Sequence, residues 1–152
     1  MAGRGTALRR KFLDKPLTHI IGAHNGLSAR LAEQAGFDGV WASGFELSAA
    51  YGLPDASLVS MTQHLDCARS MAEATQIPIV ADIDTGYGNA VNVFHTVERY
   101  EAAGMAAVVV EDKMFPKDTS LLAGGRQELV RIEEFEGKIE AACAARRDRD
   151  FM

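Results

Sequence analysis

Short apolar segments rich in β-branched residues alternate along the chain with segments of helical periodicity. The apolar segments, which predict strands, are residues 17–25, 39–45, 77–88 and 105–112. Segments with apolar positions at helical spacing occupy residues 26–36, 61–76, 89–104 and 131–148. Strands that alternate with helices in this way are typical of a parallel α/β fold.

The predicted helices carry recognisable apolar faces. The first places Leu27, Leu31 and Ala35 on one face and has Gly36 where a C-terminal cap belongs. The next two carry the apolar stripes Leu65, Ala68, Met71, Ala72 and Val93, Val97, Tyr100. The last helix has acidic residues early and basic residues late, as the helix dipole favours. The basic start, MAGRGTALRRKFLD, predicts a surface helix rather than a targeting peptide.

This order amounts to about four βα units without a linker, so residues 1–152 are predicted to form one domain. Apolar parallel strands must be covered on both faces, which leaves a doubly wound sheet or a (β/α)8 barrel as alternatives. A complete barrel takes roughly 250 residues. If the fold is a barrel, these residues are expected to form its N-terminal half and to end where the next strand would begin.

The overall composition narrows the class of partner. The chain is 47% hydrophobic and 24% charged, with a net charge of -5, which argues against nucleic acid or an anionic membrane as a partner. A small-molecule or protein ligand is expected instead. Cys67 and Cys143 show no disulfide or zinc spacing, which fits a reducing cytoplasm. The sequence contains no apolar run of the ~18 residues that a membrane span needs.

Carboxylates follow two neighbouring predicted strands. The two-residue period of a strand places Asp82 and Asp84 on one face, and the next strand ends in Glu111 and Asp112. Because parallel neighbours lie only ~4.8 Å apart, one of these last acids is expected to join the first two. Three carboxylates repel one another unless a cation holds them, and hard oxygen ligands point to magnesium or manganese. The alternative is that these acids cap helices or pair with Lys113.

Polar groups also follow the second strand. Ser43 and Gly44 could offer backbone N–H groups to a carboxylate or phosphonate, although the pair also fits a simple turn. Asp55, within GLPDAS, fits a helix cap or turn residue. Trp41 is interpreted as a core residue. The histidines, interpreted as structural or surface residues, are His19, His24, His64 and His95.

The fourth strand runs directly into a polar loop. In VVVEDKMFPKDTSLL, the strand-end acid Glu111 is followed by Lys117, Thr119 and Ser120. A lid that closes over an anionic substrate needs a charge to attract it, hydroxyls to orient it and the exclusion of water. The position of this loop after a strand end favours a lid over the alternative of a plain solvated loop.

Four motifs carry a family resemblance: AHNGLSARLAEQAGFDGVWASGFELSA, DIDTGYGNAVNV, VVVEDKMFPKDTSLL and GRQELVRIEEFEGKI. From about residue 18 to the end, the chain closely resembles the phosphoenolpyruvate mutase and isocitrate lyase superfamily, in its phosphonate branch. Mutases of that branch typically carry Lys-x-Asn-Ser in the loop. Residues 117–120 read Lys-Asp-Thr-Ser here, which looks like the phosphonopyruvate hydrolases, and the Lys-x-Cys-Gly-His motif of the lyases does not occur.

The resemblance implies an α/β fold of the (β/α)8 TIM-barrel type, here its first four βα units. It also implies that Asp82 ligates Mg²⁺ directly, with Mn²⁺ or Co²⁺ as alternatives, while Asp84 and Glu111 hold its waters. Implied substrate-binding residues, for the carboxylate and carbonyl end, are Ser43, Gly44 and Phe45. Implied catalytic residues are Asp55, Lys117 and Thr119.

The implied reaction is cleavage of the carbon–phosphorus bond of phosphonopyruvate to pyruvate and phosphate. Thr119 in place of Asn is expected to admit water rather than hold the phosphoryl group for return to oxygen. The alternatives are a mutase, a lyase-like enzyme on another 2-oxo acid, or a truncated, non-catalytic chain. Family members continue into four more βα units, which supply a phosphonate-binding arginine and histidine, and they commonly form homo-oligomers.

Overall fold

The computed structural model of this chain describes residues 3–121, 123–125 and 127–152. Leu122 and Arg126, which belong to two of the motifs quoted above, lie outside the described residues, as do Met1 and Ala2. The strands are β1 (Ile20–Ala23), β2 (Gly39–Ala42), β3 (Ile79–Asp82) and β4 (Ala107–Val109). The helices are α1 (Arg4–Asp14), α2 (Gly26–Gln34), α3 (Gly44–Ala50), α4 (Met61–Ala74), α5 (Ala90–Ala102) and α6 (Ile132–Ala145).

The described strands form one parallel sheet in the order β1-β2-β3-β4. A doubly wound sheet reverses its strand order at a switch point, and this sheet does not. Each strand is followed by helix, so the architecture is four consecutive βα units of the (β/α)8 type. The predicted α/β fold class is confirmed, and strand order decides between its two alternatives.

The helices begin where the sequence offers side-chain caps. The N-cap side chains of α2, α3, α4 and α5 each accept a hydrogen bond from a backbone N–H of the first turn; they are Asn25, Ser43, Ser60 and Asn89. At the other end of α2, Gly36 adopts φ +86°, the left-handed conformation of a C-terminal cap. Local chemistry therefore sets the start of four helices and the end of α2.

The two faces of the sheet are packed differently. The face toward the helices holds the main core, which includes the predicted stripes of α4 and α5 and the fully buried Val40, Ala42, Ile79 and Ala81. The opposite face carries a smaller cluster of Ile20, Trp41, Val80 and Ala107, against which Leu8 of α1 packs. Helix α1 thus covers the inner face of the sheet and does not lie wholly on the surface.

The predicted apolar face of α2 is wrong. Leu27 and Leu31 are 71% and 57% exposed, whereas Ala29 and Ala32 are buried. Helix α2 packs closely against α4 and the sheet, and small side chains permit that approach. Residue size at the contact therefore outweighs hydrophobicity in choosing the buried face.

A second parallel pairing begins at the outer edge of β4. The Val108 N–H donates to the Met152 carbonyl at 2.9 Å, and the Met152 N–H donates to the Ala106 carbonyl at 3.2 Å. Phe151 is buried in the main core. Among the residues that the structure describes, none of the helices has the length and apolar character required to cross a bilayer.

Asp38 ties α1 to the start of the sheet. Its carboxylate accepts hydrogen bonds from Lys15, from the His19 N–H at 3.1 Å and from Lys11 at 3.1 Å. The pairing with Lys15, the His19 hydrogen bond and Lys11 hold the pKa of Asp38 well below its ordinary range. A depressed pKa means that the stabilisation is present above the ordinary carboxyl range near pH 4 and is lost as the pH falls through the folded-state value.

We expect Asp38→Asn to lower the melting temperature at pH 7, and the deficit to shrink as the pH is lowered toward about 2. Thermal unfolding followed by circular dichroism across this pH range measures the effect. Asp66→Asn is the matched control, because Asp66 is exposed and pairs with the neighbouring Arg69 of the same helix. A deficit of equal size at every pH would contradict the prediction.

Candidate metal centre

Three carboxylates meet at the carboxyl end of the sheet. Asp82 ends β3, Asp84 follows two residues later, and Glu111 lies just beyond β4. One oxygen from each lies within 4.8 Å of the others. Asp82 and Asp84 are buried, and the Glu111 side chain is 31% exposed. The predicted convergence of acids from two adjoining strands is confirmed, and Glu111 rather than the exposed Asp112 supplies the third.

The loop after β3 places Asp84 by a different route from the one predicted. Strand geometry ends at Asp82, and Asp84 adopts φ +50°. The Asp84 N–H donates to Asp82 Oδ1 at 3.1 Å, and the Asp84 carbonyl accepts from the Glu111 N–H at 2.7 Å. A left-handed turn, rather than strand periodicity, therefore turns the Asp84 carboxylate toward the other two.

The start of α3 borders the acids. The Gly44 N–H donates to Asp82 Oδ2 at 3.3 Å, and a Cβ at Gly44 would lie 3.2 Å from Asp84 Oδ1. Ser43 caps α3 by accepting from the Glu46 N–H at 3.1 Å, and Phe45 is 46% exposed. The structure places all three predicted substrate-binding residues at the edge of the centre, and their role stays a prediction.

Lys117 reaches from the loop after β4 into the middle of the acids. Its Nζ lies 2.7 Å from Asp84 Oδ1, 3.2 Å from Asp55 Oδ2 and 3.2 Å from Glu111 Oε1. The Lys117 side chain is 3% exposed. Its backbone N–H donates to Ser57 Oγ at 3.2 Å, which joins the two loops. The structure thus brings Asp55 and Lys117 to the three acids, and the loop covers them.

Other residues of this loop make contacts outside the cluster of acids. Lys113 Nζ donates to Ser120 Oγ at 2.6 Å and lies 3.6 Å from Glu111 Oε2. Thr119 is partly buried, and its hydroxyl accepts from the Leu121 N–H at 3.3 Å. Thr119 therefore belongs to the loop that covers the centre, and its catalytic role stays a prediction.

The charges of the centre do not balance. Four carboxylates, those of Asp55, Asp82, Asp84 and Glu111, share the buried ammonium of Lys117 and, at the Glu111 side, that of Lys113. Burial raises the pKa of Asp82 and of Asp84 against the opposing effect of Lys117. Burial alone would lower the pKa of Lys117, but its pairing with Asp84 and the charges of Asp55 and Glu111 outweigh burial and raise it. An excess of buried negative charge remains.

This donor set fits a hard divalent cation. Glu111 Oε2 is buried and accepts no hydrogen bond from any residue that the structure describes, and Asp84 Oδ1 meets the Lys117 ammonium outside hydrogen-bond geometry. Clustered carboxylate oxygens without cysteine or histidine are the ligands that Mg²⁺ and Mn²⁺ prefer. The residues present therefore fit a metal of this class, and Asp82, Asp84 and Glu111 would hold it.

A buried polar chain lies beneath the centre. His64 Nε2 lies 3.1 Å from the Ala42 carbonyl, so it carries the proton, and Nδ1 accepts from the Tyr100 hydroxyl at 2.8 Å. Tyr87, in the loop after β3, places its hydroxyl 3.4 Å from that of Tyr100. Burial lowers the pKa of His64. The interpretation of His64 as a structural residue is supported by these contacts.

Sequence reasoning missed two residues that hold the site together. Ser57 binds the Lys117 backbone, and only its place in a polar loop could have suggested it. Lys138 is 1% exposed on α6 and donates to the Thr85 carbonyl at 3.0 Å. A lysine on the helix face that also carries Ala142 and Ala145 is a detectable anomaly in the sequence.

Comparisons with known proteins agree on one family. Residues 9–152 match the family described as phosphoenolpyruvate phosphomutase. The phosphonopyruvate hydrolase of Variovorax sp. (strain Pal2) is 60% identical over 98% of this chain and 51% of its own length. A crystal structure of phosphoenolpyruvate phosphomutase from Streptomyces platensis subsp. rosaceus matches with a TM-score of 0.93 and 60% identity, over 99% of this chain and 52% of that one.

A structure of phosphonopyruvate hydrolase in complex with oxalate and Mg²⁺ also matches, with a TM-score of 0.90 and 57% identity. The match covers 99% of this chain and 51% of that one. This chain thus spans about half the length of the proteins it resembles. Relatives at comparable identity carry the names of a hydrolase and of a mutase, so similarity alone does not choose between the two reactions.

Proposed function

This chain belongs to the phosphoenolpyruvate phosphomutase family, and from that membership we propose that its carboxylate centre cleaves the carbon–phosphorus bond of phosphonopyruvate. The substrate and one water give pyruvate and phosphate. The observation that carries this proposal is the meeting of Asp82, Asp84 and Glu111 beneath a loop whose Lys117 is buried among them. The 152 residues form the half of the active site that holds the metal and the 2-oxo acid.

Each residue has a distinct task in this proposal. Asp82, Asp84 and Glu111 would hold Mg²⁺, which when bound supplies positive charge to the carbonyl and carboxylate oxygens of the substrate. The backbone at Ser43, Gly44 and Phe45 receives the same end of the substrate. The Gly44 N–H donates to Asp82 Oδ2 at 3.3 Å. That hydrogen bond keeps the segment against the acids.

The loop after β4 controls what enters. Lys117 attracts the anionic substrate and, when buried, closes the loop over it, which excludes bulk water. Asp55 lies 3.2 Å from the Lys117 ammonium and orients it toward the reacting centre. Thr119 leaves room for one water where the mutases carry asparagine, and that water takes the phosphoryl group.

The activity is tested by incubating the chain with phosphonopyruvate and following pyruvate with lactate dehydrogenase, with and without Mg²⁺. We expect pyruvate to form only when Mg²⁺ is present. Calorimetric titration with oxalate in the presence of Mg²⁺ tests the binding half separately. Binding of oxalate without turnover would indicate that this half needs further residues for chemistry, and absence of both would overturn the proposal.

A mutase is the second candidate, because the Streptomyces platensis relative has that name at 60% identity. The two reactions differ in the acceptor of the phosphoryl group, which is water in one and the enolate oxygen in the other. The loop sequence at Thr119 favours the hydrolase. Phosphorus NMR distinguishes the products, since free phosphate and phosphoenolpyruvate have different resonances.

We expect Thr119→Asn to shift the product ratio from phosphate toward phosphoenolpyruvate by about ten-fold, because an amide can retain the phosphoryl group that a threonine leaves to water. Phosphorus NMR of the reaction mixture measures the ratio. Thr119→Ser, which keeps the hydroxyl, is the control and should leave the ratio unchanged. An identical ratio in all three proteins would show that Thr119 does not select the acceptor.

A further inference from the structure

The loop that carries Asp84 has a strained backbone. Two of its residues other than glycine, Asp84 and Tyr87, have φ values of +50° and +60°, and Gly86 has +88°. L-residues adopt such left-handed values in only a few per cent of cases, and two within four residues need surrounding contacts to hold them. The contacts that impose this conformation therefore also determine where the Asp84 carboxylate points.

Three successive carbonyls of the loop are held by three different donors. The Ile83 carbonyl accepts from the Gly86 N–H at 2.9 Å, and the Asp84 carbonyl accepts from the Glu111 N–H at 2.7 Å. The Thr85 carbonyl accepts from Lys138 Nζ at 3.0 Å. The first two donors belong to the loop and to the neighbouring strand end. The third comes from α6, so it links the loop to a helix outside the carboxylate cluster.

Burying the ammonium of Lys138 at this position costs desolvation free energy. Its side chain is 1% exposed, and its charge partner, Glu134 Oε1, lies 4.0 Å away. Burial lowers the pKa of the Lys138 ammonium. A methionine of similar length would pack against α5 without the desolvation cost of a cation. The hydrogen bond to Thr85 is the contact that an apolar side chain could not make.

We propose that Lys138 is a positioning residue of the metal centre. Its ammonium fixes the Thr85 carbonyl and thereby holds the left-handed backbone that turns Asp84 toward Asp82 and Glu111. The inference rests on the proposed metal-binding function. Removing a group that orients a metal ligand without touching the metal lowers metal affinity by about 10- to 100-fold.

Lys138→Met tests this role, with Mn²⁺ as the probe and electron paramagnetic resonance of the free ion as the readout. We expect its Kd for Mn²⁺ to rise at least about ten-fold, with a melting temperature equal to or above that of the wild type. Lys138→Arg, which keeps a donor, should stay within about three-fold of the wild-type Kd. Glu134→Gln is the control on the same helix, and it should leave the Kd unchanged.

The outcomes separate this inference from the function on which it rests. If the wild-type chain binds no Mn²⁺, the metal centre itself is refuted. If the wild type binds and Lys138→Met binds equally well, Lys138 only fills space and the inference fails. Lys138→Leu is measured beside Lys138→Met, and failure of both to fold would show that Lys138 serves the whole fold rather than the loop.

Discussion

Asp82→Asn is expected to weaken metal binding severely while leaving the metal-free protein folded. The carboxylate of Asp82 is buried between the Gly44 and Asp84 N–H groups and faces the other two acids. The amide keeps the size of the side chain and one acceptor oxygen, but it removes the charge that a divalent cation requires. Loss of a direct ligand should raise the Kd for Mg²⁺ at least about a hundred-fold.

Thermal unfolding measures this effect through linkage. At a Mg²⁺ concentration of about 100 times the wild-type Kd, the wild type should gain about 2.7 kcal/mol of stability, and Asp82→Asn should gain no more than about 0.4 kcal/mol. Asp112→Asn is the matched control, because Asp112 also ends the fourth predicted strand but is exposed. An equal Mg²⁺-dependent stabilisation in Asp82→Asn and the wild type would remove Asp82 from the metal centre.

Replacing Lys117 with methionine is expected to destabilise the metal-free protein by about 3–5 kcal/mol at pH 7, since it leaves buried carboxylates without their cation. The Lys117 side chain is 3% exposed and lies within 3.2 Å of three acids. Urea denaturation at constant temperature measures the loss. Saturating Mg²⁺ should restore most of the stability, because a divalent ion supplies the missing charge.

The pH dependence of the stability of Lys117→Met gives a second, independent test of the role of Lys117. The raised pKa of Lys117 means that its stabilisation is present below the ordinary lysine value near 10.5 and is lost as the pH rises through the folded-state value. The stability that Lys117→Met loses relative to the wild type should also become smaller as the pH falls through the raised pKa of Asp84, because a protonated carboxyl needs no cation.

Lys113→Met is the control for Lys117→Met. Lys113 lies in the same loop, but its side chain is 16% exposed and its Nζ is 3.6 Å from Glu111. Its loss should cost less than about 1 kcal/mol. A metal-free Lys117→Met protein as stable as the wild type would show that the loop lies open in solution and that the acids are solvated.

Much of the fold follows from local sequence. The apolar stripes of α4 and α5, the capping side chains and the glycine that ends α2 are all visible in the amino-acid order, because each depends on residues a few positions apart. The exposed face of α2 shows the limit of that reasoning. Leu27 and Leu31 are apolar, yet Ala29 and Ala32 are buried, since only small residues allow close contact with α4 and the sheet.

The candidate site was likewise predictable only in part from the sequence. The proximity of Asp82 and Glu111 could be predicted from the sequence, because the carboxyl ends of adjacent parallel strands meet at one edge of the sheet. The position of Asp84 could not be derived in this way, since it depends on a left-handed turn held by Glu111 and Lys138. Lys117 was expected in a lid, but its burial among three acids was not.

The order of residues by itself determined the alternation of strands and helices, the start of four helices, the end of α2 and the presence of acids at two neighbouring strand ends. Tertiary structure alone decided the unreversed strand order, the buried face of α2, the direction of the Asp84 carboxylate and the place of Lys117. The first group depends on interactions between near neighbours in the chain. The second depends on contacts between distant segments, where packing volume and unbalanced charge select one arrangement among several that the local pattern permits.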